Sequence, residues 1–478
     1  MLQKKGGDPL VVTGYRAIAL TSLLLRTFNK LLLARIRIVD SSLRFAQNGF
    51  RPSRGTLEQA MALQFIVERS KTCKSPLYLL FVDAAKAFDS VSHGSIENCL
   101  ISFGVPSFLR NAIMSCYSDH NVHVPIDDSA CPTSKVYQVK SGVLQGDTIA
   151  PYLFVLLLDS IMRQCISPFD GLDAPTPSRS TRHLPTQKAR LEKTIVTDLD
   201  FADDIAFVSS TKAGITDQLH RFQHACMSHG LLLNFGKGKT EWCSFNVIDP
   251  GELHSIEGKL IPQCEDYTYL GTHPLDPEAA LNQRRGKAWA LAQSFSHLWH
   301  ANTVPRRVKV EFAHCLVLAA FTYGSILWPT TVAWKRKING LQASLLRYCL
   351  SMPAATPDIN TRLRGKIPTL TSTIEHARFR TLGHALRGDQ VLGRVVNLPW
   401  TQKGRHLTLY KTLCRSLPGH TPDEWHILAQ DRSWWSKRAI LIAAEEEDRH
   451  YNELRRQGIR RWVTDERIGT ERMLIQLE

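Results

Sequence analysis

The sequence has no CxxC pair, no uninterrupted apolar run of the ~18 residues a membrane helix needs, and no apolar stretch at its start. Its 11 cysteines are irregularly spaced from Cys73 to Cys414. A zinc ribbon or knuckle needs close ligand pairs, so neither is expected. The longest apolar stretch, Ile149 to Met162, is interrupted by Pro151 and Asp159, so no membrane span is expected. Met1 to Asp8 is polar, unlike a secretory signal. Unpaired cysteines without such a signal fit a reducing compartment inside the cell. Hydrophobic residues at 43% and charged residues at 22% exclude wholesale disorder.

What is present is charge, unevenly placed. The 478 residues carry a net charge of +15. Residues 1–280 hold 28 basic and 28 acidic side chains, whereas residues 281–478 hold 31 and 16. A neutral part followed by a basic part points to a polyanionic partner or to a solvated basic surface. At about 100–200 residues per domain, two to four domains are expected.

Hydrophobic spacing predicts helices over 19–39, 56–70, 92–103, 149–165 and 215–228. The run Leu77 to Val82 reads as a buried strand, and Val136 to Val139 as another. Apolar residues on both sides of Asp203-Asp204 predict strand, acidic turn, strand. Residues 168–194, rich in Pro, Ser, Thr and charge, read as an exposed insertion. Past residue 280 the segments 288–299, 307–320 and 338–350 are helical in spacing and rich in Arg and Trp. Residues 353–368 read as a break, and 434–467 as a charged amphipathic helix.

Three carboxylates stand where carboxylates are costly. Asp83 ends an apolar strand, and Asp203 and Asp204 lie between two apolar runs. Such a group must be hydrated, paired or bound to a cation. Three converging carboxylates form a hard oxygen site suited to Mg²⁺. Two such ions about 4 Å apart activate an attacking hydroxyl and stabilise a leaving oxygen in phosphoryl transfer. Taken singly, a strand-end Asp or an Asp-Asp turn is a common surface feature.

The order of the pieces is more specific. Tyr15-Arg16-Ala-Ile-Ala-Leu20-Thr21 and Gln47-Asn-Gly49-Phe50-Arg51-Pro52 precede Phe81-Val-Asp83-Ala-Ala-Lys-Ala-Phe88-Asp89. Then come Gly142-Val-Leu-Gln145-Gly146-Asp147, Phe201-Ala-Asp203-Asp204, Gly230-Leu-Leu-Leu-Asn234 with Lys239-Thr240, and Tyr269-Leu270-Gly271. This succession resembles the motifs of reverse transcriptases, most of all the LINE-type polymerases of non-LTR retrotransposons. Arg380-Thr-Leu382-Gly383-His384-Ala-Leu386-Arg387 is similar to an element that follows the polymerase core in these families. Ala429-Gln-Asp431-Arg432 with Trp435 is similar to their C-terminal tail.

The resemblance implies an α+β right-hand polymerase fold, with Asp83 and the Asp203-Asp204 turn on adjacent antiparallel strands. Fingers and palm would occupy 1–280, a helical thumb and connection 281–400, and a helical basic extension 401–478. It implies RNA-directed DNA polymerisation, in which a primer 3′-hydroxyl attacks the α-phosphate of a dNTP on an RNA template. Asp83, Asp203 and Asp204 would be the catalytic carboxylates and metal ligands, with Asp204 the less direct. Two Mg²⁺ ions, or Mn²⁺ in their place, are the implied cofactors. Lys239 would neutralise or protonate the leaving pyrophosphate, with Lys237 the alternative and a solvated turn lysine the plain reading of both. Phe88 would lie under the incoming sugar and disfavour a ribose 2′-hydroxyl, or else be a core phenylalanine. Gln145 and Gly146 would approach template and nucleotide, or form a turn in which Asp147 or Thr148 caps the following helix. Arg16 and Arg51 would hold the triphosphate, or form backbone salt bridges. Trp289, Trp299, Trp328 and Trp334 would stack on bases or pack in the core.

The sequence departs from the family pattern in showing no endonuclease region and no CCHC knuckle, and in having Ala17 where proline is common. A truncated element is therefore the expected alternative: a nucleic-acid-binding remnant impaired in catalysis. Template RNA, primer DNA and dNTPs are the implied partners, with no membrane. An intracellular, nuclear location follows from the family's need for chromosomal DNA.

Overall fold

The computed structural model describes residues 2–3, 8, 11, 15–16, 18–118, 121–126, 133–167, 170–172, 195–236, 238–358, 361–362, 367–388, 391–396, 414–420 and 422–456. The chain forms two compact units. One comprises Met1–Thr56, Ser75–Pro175 and Thr186–Glu265; the other comprises Leu57–Lys74, Thr176–Pro185 and Asp266–Glu478.

The first unit is built on a four-stranded antiparallel sheet. Its strands are β1 (Leu77–Val82), β2 (Asp198–Phe201), β3 (Asp204–Ser209) and β4 (Glu241–Phe245), in the spatial order β4-β1-β3-β2. Every residue of β1 is buried, as its unbroken apolar run requires of a central strand. The helices Ala150–Cys165 and Lys212–Ser228 pack on each other and share one core with the sheet. Phe207 meets Phe222 edge to face at 5.3 Å within that core. The helix Ala150–Cys165 buries 12 residues, the mark of a helix apolar nearly all round.

Local signals set most boundaries. Ser92 caps the helix His93–Ser102 by accepting from Ser95 N–H at 3.0 Å, and Thr211 caps Lys212–Ser228 in the same way. The helix expected from residue 19 begins at Leu23, because Ser22 accepts from Leu25 N–H. It tightens to a 3₁₀ turn over Arg37–Ser42. The cap expected from Asp147 or Thr148 is not formed: Ile149 occupies the N-cap without a side-chain bond. Asp147 is drawn off by Asn29, whose Nδ2 donates to both carboxylate oxygens at 2.9 Å. Of the expected exposed insertion, 168–169 and 173–194 lie outside the described residues. Asp170 and Leu172 are buried, the former paired with Arg221. Gly171 between them is buried as well, so the expectation fails at all three.

The second unit is helical where described. It contains Thr56–Cys73, Pro277–Ser294, Val332–Cys349, Leu370–Arg387 and Arg432–Arg456. Asp276 caps the second of these, with Pro277 in its first turn. Trp299 and Trp328 are core residues, while Trp289 and Trp334 are half-buried against the same core. The break expected at 353–368 is helix-free through Pro357. The last helix begins at Arg432, and residues 457–478 lie outside the described residues.

The two C-terminal motifs meet in this unit. Trp435 stacks on Phe379 with ring centroids 4.3 Å apart, and its Nε1 donates to Phe379 O at 2.9 Å. Gly383 lies under the indole so closely that a Cβ would overlap the ring. Gly383→Ala should therefore force a shift of a fully buried aromatic and cost about 1–3 kcal/mol. Urea unfolding checks this; an unchanged midpoint would show that the ring has room to move.

Candidate active site

The ladder between β1 and β3 ends at the pair Val82 and Ile205. Asp83 follows the first and Asp204 precedes the second, so antiparallel register brings these carboxylate-bearing residues opposite each other at the strand ends. A two-residue turn, Ala202-Asp203, joins β2 to β3, with Phe201 paired to Asp204. Ala202 has φ 54°, the positive value that tight hairpin turns require of a central residue. All three acidic residues thus gather at one edge of the sheet. Asp83 and Asp203 are half-buried and Asp204 is exposed.

Asp83 is held from several sides. Asn234 Nδ2 donates to its Oδ2 at 3.1 Å, and Lys239 Nζ stands 3.5 Å from its Oδ1. Its N–H donates to Thr240 Oγ1 at 3.2 Å, and its carbonyl accepts from Asn234 N–H at 2.8 Å. The Asn234 and Lys239-Thr240 motif therefore closes around the aspartate at the end of β1. Lys237 lies outside the described residues.

Asp204 is pushed up to about 6, first by the burial of its surroundings and then by the Asp203 and Asp83 charges. Below its ordinary value of 3.8 the carboxyl is neutral in both folded and unfolded chains. Between 3.8 and about 6 the unfolded chain releases a proton that the folded chain keeps, so folded stability falls as pH rises through that window. Discounted for solvent screening, the cost at neutral pH is about 1 kcal/mol. In EDTA at pH ~7, Asp204→Asn should raise Tm by roughly 2–4 °C, and the gain should vanish below pH ~4. Melts across that range check this, and a gain independent of pH would place its cause elsewhere.

As the side chains stand, no three His, Cys, Asp or Glu groups among the described residues converge closely enough to hold a metal ion. The chemistry of the donor set still fits a hard divalent cation. The donors are carboxylates, two of which add to the proton affinity of Asp204, and one already faces an ammonium.

The other predicted residues lie in varied settings. Phe88 is half-buried and stacks on Phe154 with centroids 4.6 Å apart. Gln145 O accepts from Ala19 N–H at 2.8 Å. Gly146 has φ 110°, and a Cβ there would lie 2.8 Å from Ala19 O. Its lack of a side chain thus serves the approach of the 18–20 segment. Val143 N–H and Gly142 N–H donate to Phe88 O and Val91 O at 2.7 and 2.6 Å, stitching this loop to the segment after Asp83. Arg51 is buried, and each guanidinium nitrogen already donates within the protein, to Asp40 and to the carbonyls of Arg44 and Gln47. That is the salt-bridged alternative of the two readings given to it. Arg16 pairs with Leu2 through its backbone, and its side chain is outside the described residues.

Sequence reasoning missed a buried ionic cluster behind the turn. Arg44 meets Asp198 at 2.6 Å, Asp159 at 3.3 Å and also Asp200, all three carboxylates being 0–2% exposed. Arg163 shares Asp159 at 2.8 Å. Burial alone would raise Asp198, but the Arg44 charge and hydrogen bonds hold it below the usual carboxylate value. Burial and the Asp198 charge push Asp200 well above it. The available signal was the alternation Asp198-Leu-Asp200 inside an apolar strand. Its partner Arg44 is 154 residues from Asp198, which hides the pairing.

The family profile described as "Reverse transcriptase (RNA-dependent DNA polymerase)" matches residues 2–273. The chain is 27% identical over 355 residues to the retrovirus-related Pol polyprotein of type-2 retrotransposable element R2DM from Drosophila melanogaster, covering 72% of this chain and 31% of that one. It is 26% identical over 433 residues to the Pol polyprotein of type-1 element R2 from Nasonia vitripennis, covering 82% and 39%. It is also 26% identical over 402 residues to the RNA-directed DNA polymerase of mobile element jockey from Drosophila melanogaster, covering 79% and 40%. The chain thus spans less than half the length of each of these relatives. Among the described residues no helix is long and apolar enough to cross a membrane.

Proposed function

Because the chain belongs to the reverse transcriptase (RNA-dependent DNA polymerase) family, we propose that it extends a primer 3′-hydroxyl with dNTPs on an RNA template, in the retrotransposition of a LINE-type element. The observation that carries this reading is the meeting of Asp83 with the Asp203-Asp204 turn at one sheet edge, in the motif order of the family. Residues 1–280 act as fingers and palm, 281–400 as thumb and connection, and 401–478 as a basic extension.

The family uses divalent metals, and Asp83, Asp203 and Asp204 are the residues that would hold them. Bound there, two Mg²⁺ or Mn²⁺ ions would supply Lewis acidity to the attacking and leaving oxygens. The chain's own residues do the rest. Asn234 and Thr240 fix the Asp83 carboxylate and backbone, so its oxygens need little rearrangement. Lys239, exposed beside Asp83, would neutralise a departing pyrophosphate. The Phe88 ring, held by Phe154, forms the floor under the incoming sugar and works against ribonucleotides. Gln145 and Gly146 act on the template side by holding the 18–20 segment. Arg51 acts by bracing the 40–47 turn, and Arg16 is the arginine that would hold the triphosphate.

Basic side chains after residue 280 would grip the nucleic-acid backbone, with an affinity that falls steeply with salt. Access to chromosomal DNA implies work in the nucleus. The test is dNTP incorporation on a poly-rA template primed with oligo-dT in Mg²⁺. Primer extension upholds the reading. Salt-sensitive binding of the duplex without extension would favour the impaired nucleic-acid-binding remnant.

A further inference from the structure

We infer that Gln47 is a positioning residue for the catalytic turn: by accepting the Ala202 N–H it holds the residue before Asp203 in its left-handed conformation and so aims the Asp203 carboxylate. The inference rests on the polymerase reading above.

Gln47 is fully buried. Its Oε1 accepts from two backbone N–H groups, Gly49 at 2.7 Å and Ala202 at 3.0 Å. The first bond is local and fixes the side chain; the second then acts as a strut across 155 residues of sequence. The segment bearing the strut is itself tied to β2. Asn48 N–H donates to Asp200 O at 2.8 Å, and Asp200 N–H donates to Ala46 O at 3.1 Å. Gly49 passes so close to the turn that a Cβ would overlap the Ala202 backbone. At φ 54°, Ala202 holds a conformation that L side chains avoid, and such strain persists only where the surroundings impose it. Gln47 is the buried side chain that reaches the N–H of that residue, one position before Asp203. Its Oε1 holds the N–H of the residue before Asp203, so it acts on the carboxylate through the turn.

Gln47→Met keeps length and bulk and removes the acceptor. With full-length protein, primer extension should show kcat lower by about 10- to 100-fold, the scale of a small misplacement at a reacting centre, with KM for dNTP changed by less than about twofold. Adding Ala202→Gly should recover at least about fivefold of that loss, because glycine adopts positive φ without help. The Ala202 amide should also exchange faster with solvent in Gln47→Met than in wild type. A wild-type kcat in Gln47→Met overturns the inference. So does a loss that Ala202→Gly leaves untouched, which would make Gln47 a support of the fold alone. Should Gln47→Met not fold, Gln47→Asn, with its oxygen drawn back by one methylene, carries the same expectations. A wild type that extends no primer defeats the polymerase reading instead. Amide exchange then decides the Gln47 strut, which falls if Ala202 exchanges equally in both proteins.

Discussion

Asp203→Ala should abolish dNTP incorporation while leaving the protein folded. The residue lies at a half-buried turn, not in the core, so its removal takes away little packing. What it removes is one of three carboxylates at the sheet edge, each proposed to hold the ions that stabilise charge in the transition state. Several kcal/mol of that stabilisation correspond to a fall of at least about 10³-fold in rate. The measurement is single-turnover primer extension beside a thermal melt of both proteins. A folded Asp203→Ala that extends the primer within about tenfold of wild type would remove this carboxylate from the chemistry. Asp204→Asn makes a useful companion: it should gain stability in EDTA at neutral pH yet lose activity in Mg²⁺. Charge crowded at this turn is a cost to folding.

Arg44→Ala should be among the most destabilising single changes in the first unit. It would remove the cation that the buried Asp159, Asp198 and Asp200 share. Breaking a buried ionic cluster by deleting one partner costs about 3–5 kcal/mol, because the remaining buried charge loses its main counter-charge. The sign of the pH dependence is testable. Arg44 holds Asp198 below its ordinary value, so this part of the stability is present at neutral pH and is lost as pH falls through the folded value. The variant's deficit should therefore be widest near pH ~7 and narrow toward pH ~3, below the ordinary carboxylate value that Asp198 is held under. Urea unfolding at those two pH values checks both statements, and a deficit below about 1 kcal/mol would mean that water reaches the cluster. Because Asp198 and Asp200 lie on β2, just before the Ala202-Asp203 turn, a loosened cluster should also lower activity in whatever protein remains folded.

Much of the fold was legible in the chain. Leu77 to Val82 is a continuous apolar run and became the central strand at the predicted bounds. The pattern around Asp203-Asp204 became two paired strands with a two-residue turn. Helices 56–73, 93–102 and 150–165 were set by apolar spacing, the second also by its Ser92 cap. The failures occurred where a distant partner overrode a local signal. Asp147 has the chemistry of a helix cap, but Asn29, 118 residues away, takes both its oxygens. Asp170 and Leu172 sit in a stretch composed like a loop, yet they are buried by Arg221 and by the Val196 segment, whose carbonyl accepts from Leu172 N–H.

The candidate site divides in the same way. By itself the sequence determined which residue types gather, because carboxylates at the ends of apolar strands, in that order with the glycine loop and the lysine motif, have few other uses. Only the tertiary structure decided how they are held. It placed Asn234 and Thr240 on Asp83, Gln47 on the Ala202 turn, Arg44 on three buried carboxylates, and Arg51 on Asp40. The physical reason is range. Backbone propensity and hydrophobic period act over a few residues and can be read along the chain. Hydrogen bonds and ion pairs act over about 3 Å of space and link residues far beyond the local period, most of these more than a hundred positions apart, which no local pattern encodes.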